Sequence, residues 1–268
     1  MIPLPRLIGV WVMVLLAWLP LGGCTTTTTG ADGRETRAAA EPADPERRAR
    51  VRLELAALYF GRGQSDTALN EVKLALAAKP DMADAYAMRA LVLASLGDNA
   101  LAEESFLRAL QLAPQDGGTM HNYAWFMCQQ RRFADADVQF NAAVALPQYR
   151  DLTRTLMAQG VCQARAGLWS QAERTLSRSF ELDSANPVTA FNLAEVLLHR
   201  GELERARFYV ARINAQPEQV SAQTLWLAAR VERRLGNIQG VQDLGRKLSE
   251  RFPQSPETLL FERGRFDD

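Results

Sequence analysis

An all-α solenoid of six helix–turn–helix repeats is the fold class that this 268-residue sequence predicts. Three observations predict it. Apolar and small residues recur at the 3.6-residue period of an amphipathic helix in paired runs, of which the stretch from Ala83 to Asp116 is the clearest. A turn position recurs at Gly63, Gly97, Arg131, Gly167, Gly201 and Gly236, with Ala68, Ala102, Ala136, Ala172, Ala206 and Val241 five residues later. Both ladders step by 34, 34, 36, 34 and 35 residues. Prolines that cannot continue a helix punctuate the units at Pro80, Pro114, Pro147, Pro187, Pro217 and Pro253.

In the clearest unit, Ala85, Tyr86, Ala90, Leu93 and Leu96 form one apolar stripe, and Leu101, Ala102, Phe106, Ala109, Leu110 and Leu112 form the other. Gly97 and Asp98 make the turn between them. The alanines let two antiparallel helices approach closely. Such a hairpin has an apolar side that it cannot bury alone, so it must stack on its neighbours. A 34-residue helix–turn–helix period with this punctuation is the tetratricopeptide signature, and its stacked units share one continuous core.

Ahead of the repeats, Arg6 and the amino terminus precede an uncharged run, Leu7 to Leu19, that is too short for a comfortable membrane span. Leu21-Gly22-Gly23-Cys24 then resembles a bacterial lipobox, so residues 1–23 are expected to be a lipoprotein signal peptide and Cys24 the lipidated residue. A secretory or anchoring segment in which Cys24 is incidental is the alternative. Thr25 is not aspartate, which by resemblance to bacterial sorting rules favours the outer membrane. One acyl chain binds a bilayer only marginally and several bind durably, so membrane attachment belongs to Cys24. Residues 24–45 are threonine-rich, then small and charged, and too poor in apolar surface to offset their ordering entropy. They are expected to be a flexible tether with a reach of about 25 Å.

The repeat body is expected over 46–268, with units at about 49–82, 83–116, 117–150, 153–186, 187–220 and 222–255. Arg131 stands where the third turn prefers glycine. The segment Gln148 to Leu152 adds two residues, which predicts a local irregularity between the third and fourth repeats. Gly240 and Gly245 make the last second-helix the poorest match, since each costs about 1 kcal/mol in a helix interior relative to alanine. The terminal Arg-Gly-Arg-Phe-Asp-Asp is expected to be frayed. Cys128 and Cys162 fall near the same position of consecutive first helices, and a signal peptide puts them in an oxidising compartment. A disulfide is the favoured reading, and two buried thiols are the alternative.

With 31 basic and 31 acidic residues, net charge gives no reason to expect nucleic acid. His121 and His199 are the only histidines, and no zinc-protease, nucleophile-elbow or phosphate-loop pattern occurs. Neither an enzyme nor a metal site is expected, and the sole attached group is the covalent lipid on Cys24. Glu103 and Glu104, and the cluster Arg230, Arg233 and Arg234, look like solvated helix faces, the arginines alternatively a contact for an acidic partner. In a tetratricopeptide solenoid the first helices line the concave surface. On this register that groove takes Leu53, Phe60, Leu91, Trp125, Met157, Val161, Phe191, Leu198 and Trp226, with the two tryptophans as candidate anchors and a peptide segment as ligand.

The stretches Asn122 to Cys128, Pro147-Gln148-Tyr149, Gly160 to Gly167, Leu225 to Glu232 and Phe252 to Glu257, together with the lipobox and six repeats, resemble the type IV pilus biogenesis/stability lipoproteins of the PilF/PilW family. The resemblance covers nearly the whole chain. It implies a pilotin: a lipoprotein at the inner leaflet of the outer membrane, facing the periplasm, that binds secretin subunits and promotes their multimerisation. A general periplasmic adaptor for envelope or cell-wall enzyme complexes is the other function compatible with the repeats.

Overall fold

A computed structural model describes residues 44–266, and the expected signal peptide, Cys24 and nearly all of the tether lie outside them. The described chain is helical throughout. Six hairpins follow one another: α1 (Pro45–Gly61) with α2 (Ser65–Ala78), α3 (Ala83–Ser95) with α4 (Asn99–Leu112), and α5 (Gly117–Gln129) with α6 (Phe133–Val144). Then come α7 (Leu152–Arg165) with α8 (Trp169–Leu182), α9 (Pro187–Arg200) with α10 (Leu203–Asn214), and α11 (Ala222–Arg234) with α12 (Ile238–Arg251). A short α13 (Pro256–Glu262) closes the stack.

Each helix packs on the next one in sequence. The backbones of successive odd-numbered helices also approach one another closely from α1 to α13, whereas among the described residues the even-numbered helices meet only through long side chains, as where Arg205 of α10 pairs with Glu173 of α8. The first helices of the hairpins therefore line the inner side of the solenoid and the second helices its outer side.

The two ladders of the sequence have distinct physical causes. All six turn residues sit at positive φ, from 61° at Arg131 to 82° at Gly97. The chain can reverse within three residues only by entering the left-handed region, where glycine is unstrained and Arg131 is not. The alanine ladder is a packing requirement: Ala68, Ala102, Ala136, Ala172 and Ala206 are all fully buried where the two helices of a hairpin cross. Helix starts are capped by side chains, as where Asp98 accepts from the Leu101 N–H and Ser221 forms a reciprocal box with Thr224.

The expected irregularity between the third and fourth repeats has a specific form. The added residues place one edge of the Tyr149 ring against Gly117, where a Cβ would come within 2.6 Å of it. The Tyr149 hydroxyl lies 2.7 Å from Thr155 Oγ1, which in turn lies 2.9 Å from His121 Nδ1. On the other side of α7, Gln159 and Gln163 each donate to Asp137 Oδ1 at 2.8 Å. A disulfide joins Cys128 on α5 to Cys162 on α7, with Cα atoms 5.9 Å apart. Gly160 is buried against Leu176, so that any side chain there would collide with α8.

The C-terminal end differs from expectation. Phe266 is buried and packs on Trp226 at 5.0 Å, with the Arg233 guanidinium 4.5 Å from its ring centre. The terminal segment is thus ordered at least to Phe266. Gly245 is no defect either, because a Cβ there would meet Phe261 of α13 at 2.1 Å. The glycine lets α13 close the last repeat, so the poor consensus of α12 reflects its role at the end of the stack.

Candidate protein-binding groove

Two adjoining hollows, of about 380 and 300 Å³, lie along the inner faces of α5, α7 and α9 and share Val161 and Asn192 as lining residues. The first is walled by His121, Asn122, Trp125, Arg154, Met157, Ala158, Val161, Val188 and Asn192. The second continues through Ala164, Arg165, Trp169, Glu195 and His199. The helical period explains the set: Arg154, Met157, Val161 and Arg165 follow one another at three- and four-residue intervals, so α7 presents them along one stripe.

Of the residues expected in the groove, the fold brings Trp125, Met157 and Val161 together. Leu53, Leu91 and Phe191 are half-buried and pack against separate parts of the core, and Phe60 is half-buried at the end of α1. Two assignments need correcting. Leu198 is 2 % exposed and belongs to the core between α9 and its neighbours. Trp226 is 6 % exposed because Phe261 and Phe266 cover it, a contact that repeat position alone does not anticipate. Neither is available to a partner.

The basic cluster of the sixth repeat is likewise consumed internally. Arg230 pairs with Glu195 at 3.1 Å, Arg234 donates to the Leu198 carbonyl at 2.9 Å, and Arg233 covers Phe266. Glu103 is not a freely solvated carboxylate. It accepts from the Tyr123 hydroxyl at 2.7 Å and pairs with Arg132 at 2.6 Å. Hydrogen bonding to Arg132, then to Tyr123, holds its pKa below the usual glutamate range. Burial, and then the bond to Glu103, pushes the Tyr123 phenol up to about 12.

Several groove residues carry no obvious mark in the sequence. Val188 is half exposed at the start of α9. Asn122 and Asn192 occupy the same place, position six, of the third and fifth repeats, a recurrence that sequence reading could have used. Trp169 and His199 stack at 4.3 Å with rings 10° from parallel, which joins α8 to α9 across a repeat boundary. Burial, reinforced by the charge of Arg154, pushes His121 down to about 4, so its imidazole is neutral near pH 7 while sharing a hydrogen bond with Thr155. Two guanidiniums line the groove, Arg154 and Arg165, the latter 5.0 Å from the ring centre of Trp125. Its carboxylate, Glu195, is already paired with Arg230.

Such a surface offers apolar side chains between two guanidiniums, with amide groups at the rim. It suits the capture of a peptide segment. Among the described residues, no cluster of three or more metal-ligating side chains occurs, and no helix is long and apolar enough to cross a membrane.

Comparison with known proteins agrees with this architecture. Residues 83–116 match the tetratricopeptide repeat family. The chain is 26% identical over 251 residues to the type IV pilus assembly protein PilF of Pseudomonas aeruginosa, covering 94% of this chain and 98% of that protein. The crystal structure of PilW, described as a widely conserved type IV pilus biogenesis factor, superimposes with a TM-score of 0.73 at 28% identity, over 79% of this chain and 96% of PilW. The solved Pseudomonas aeruginosa PilF structure gives a TM-score of 0.71 at 23% identity over 82% of this chain and 99% of that one, a likeness of fold.

Proposed function

This chain is a tetratricopeptide-repeat relative of the type IV pilus biogenesis proteins PilF and PilW, and we propose that it acts as a pilotin. Acyl chains on Cys24 hold it at the inner leaflet of the outer membrane, and the tether gives it reach into the periplasm. The groove on α5, α7 and α9 captures a segment of the pilus secretin. Concentrating secretin subunits at one membrane raises their effective concentration for one another and so favours ring assembly. The work is binding and placement, without covalent chemistry.

The observation that carries this reading is the apolar groove around Trp125, Met157 and Val161, in a chain whose relatives over nearly its full length are pilus assembly proteins. The test is the secretin itself. A deletion strain is expected to lose heat-stable secretin multimers and twitching motility, and a Cys24→Ser variant to restore neither. Trp125→Ala should keep the protein at the outer membrane while lowering co-purification of secretin at least tenfold, as loss of a central aromatic anchor does. Normal secretin rings in the deletion strain would refute the assignment and favour a general envelope adaptor.

A further inference from the structure

We infer that the groove selects an extended peptide with apolar side chains flanked by acidic ones, an inference that rests on the groove being the partner site. Its charge is one-sided. Among the described residues neither Arg154 nor Arg165 makes an ion pair, Arg165 lies over the face of Trp125, and the neighbouring carboxylate of Glu195 is neutralised by Arg230. A basic segment would meet two like charges here, and an acidic one would meet two cations held against low-dielectric apolar walls.

Geometry sets the pattern of the segment. Arg154 and Arg165 are eleven residues apart on α7, about 16 Å along the helix axis, with Met157 and Val161 between them. An extended chain advances about 3.3 Å per residue and alternates its side chains between two faces, so acidic residues six apart, about 20 Å, share a face and reach both guanidiniums with their side chains while the apolar residues at the alternate positions between them enter the hollow. Asn122 and Asn192 favour an extended over a helical ligand. Their side-chain amides can bond only to a backbone whose N–H and C=O groups are not already paired within a helix. Asn192 uses its Nδ2 on the Val188 carbonyl at 2.8 Å, which leaves its oxygen to accept from a ligand N–H.

The purified full-length protein would be titrated into two fluorescein-labelled peptides, Gly-Asp-Thr-Leu-Thr-Leu-Thr-Asp-Gly and its counterpart with lysine for both aspartates, and anisotropy recorded. The acidic peptide is expected to bind roughly tenfold more tightly at low salt. The double variant Arg154→Glu, Arg165→Glu should reverse that preference, a gain of binding to the lysine peptide that a misfolded protein could not produce. Preference for the lysine peptide, or binding of neither, overturns the inference. Equal binding of both that is lost in Trp125→Ala overturns the charge selectivity and leaves the groove standing. Binding indifferent to Trp125→Ala overturns both.

Discussion

The junction between the second and third repeats and the junction between the third and fourth solve the same stacking problem with opposite materials. At the former, fully buried Phe106 of α4 meets Tyr123 and Phe126 of α5, with ring centres 5.3 and 5.6 Å away. Burial of apolar area holds the repeats together, and the polar contacts, the Glu103–Tyr123–Arg132 group and the exposed Asn99–Gln130 pair, sit at the edge. At the latter, buried Thr155, His121, Gln159 and Gln163 occupy the contact, and Gln163 Oε1 has no hydrogen-bond partner among the described residues. Buried polar groups contribute little net stability even when satisfied, and an orphan costs more. The covalent staple lies at the polar junction. Where the hydrophobic spine thins, the disulfide substitutes for it, and the groove is built on the two helices that it joins.

Four perturbations test that contrast, taken from the largest expected effect. Phe106→Ala should cost about 3–5 kcal/mol in chemical denaturation, because it opens a cavity at the apolar junction. Opening the disulfide with Cys128→Ser and Cys162→Ser together should cost about 4 kcal/mol from the freed 34-residue loop. In hydrogen exchange, the loss should concentrate in α5 to α7. Equal loss of protection along the whole solenoid would mean that the two junctions are not independent.

The third effect is read against pH. The folded state holds His121 near 4, below its ordinary 6.5, because burial and then Arg154 disfavour the cation, while Asp151 only partly opposes them. The stabilisation is therefore fully present above about 6.5 and is lost as pH falls through that value toward 4. His121→Gln should flatten the stability profile within this window. It should leave the fall below about 4.5, set by paired carboxylates such as Glu103 and Glu232, unchanged. The smallest change is Arg131→Gly, expected to stabilise the protein by about 1 kcal/mol. It relieves a left-handed arginine at some cost in unfolded-state entropy.

What was legible in the sequence were the features that a repeat must copy. A turn that requires positive φ and a helix crossing that admits only a small side chain recur at fixed intervals, so the two ladders located the hairpins. Trp125, Met157 and Val161 were legible for the same reason, since they hold groove positions of interior repeats. Trp226 and Leu198 were misplaced because register says which way a residue faces and not what covers it. For Trp226 the cover is α13 and Phe266, which no repeat supplies. The Tyr149–Thr155–His121 chain was illegible because it exists only where two added residues break the period. The stacked pair Trp169 and His199 comes from different repeats, and no local pattern in either announces the other.

The bond between Cys128 and Cys162 also governs how this solenoid would respond to being pulled. Linear stacks ordinarily peel one hairpin at a time, each lengthening the molecule as it lets go. Here the sulfur bridge carries tension directly from α5 to α7, so the 34-residue span it closes is spared the load. In a force-extension trace the oxidised protein should come up about 12 nm short of its reduced form, since each residue adds at most about 3.6 Å of contour.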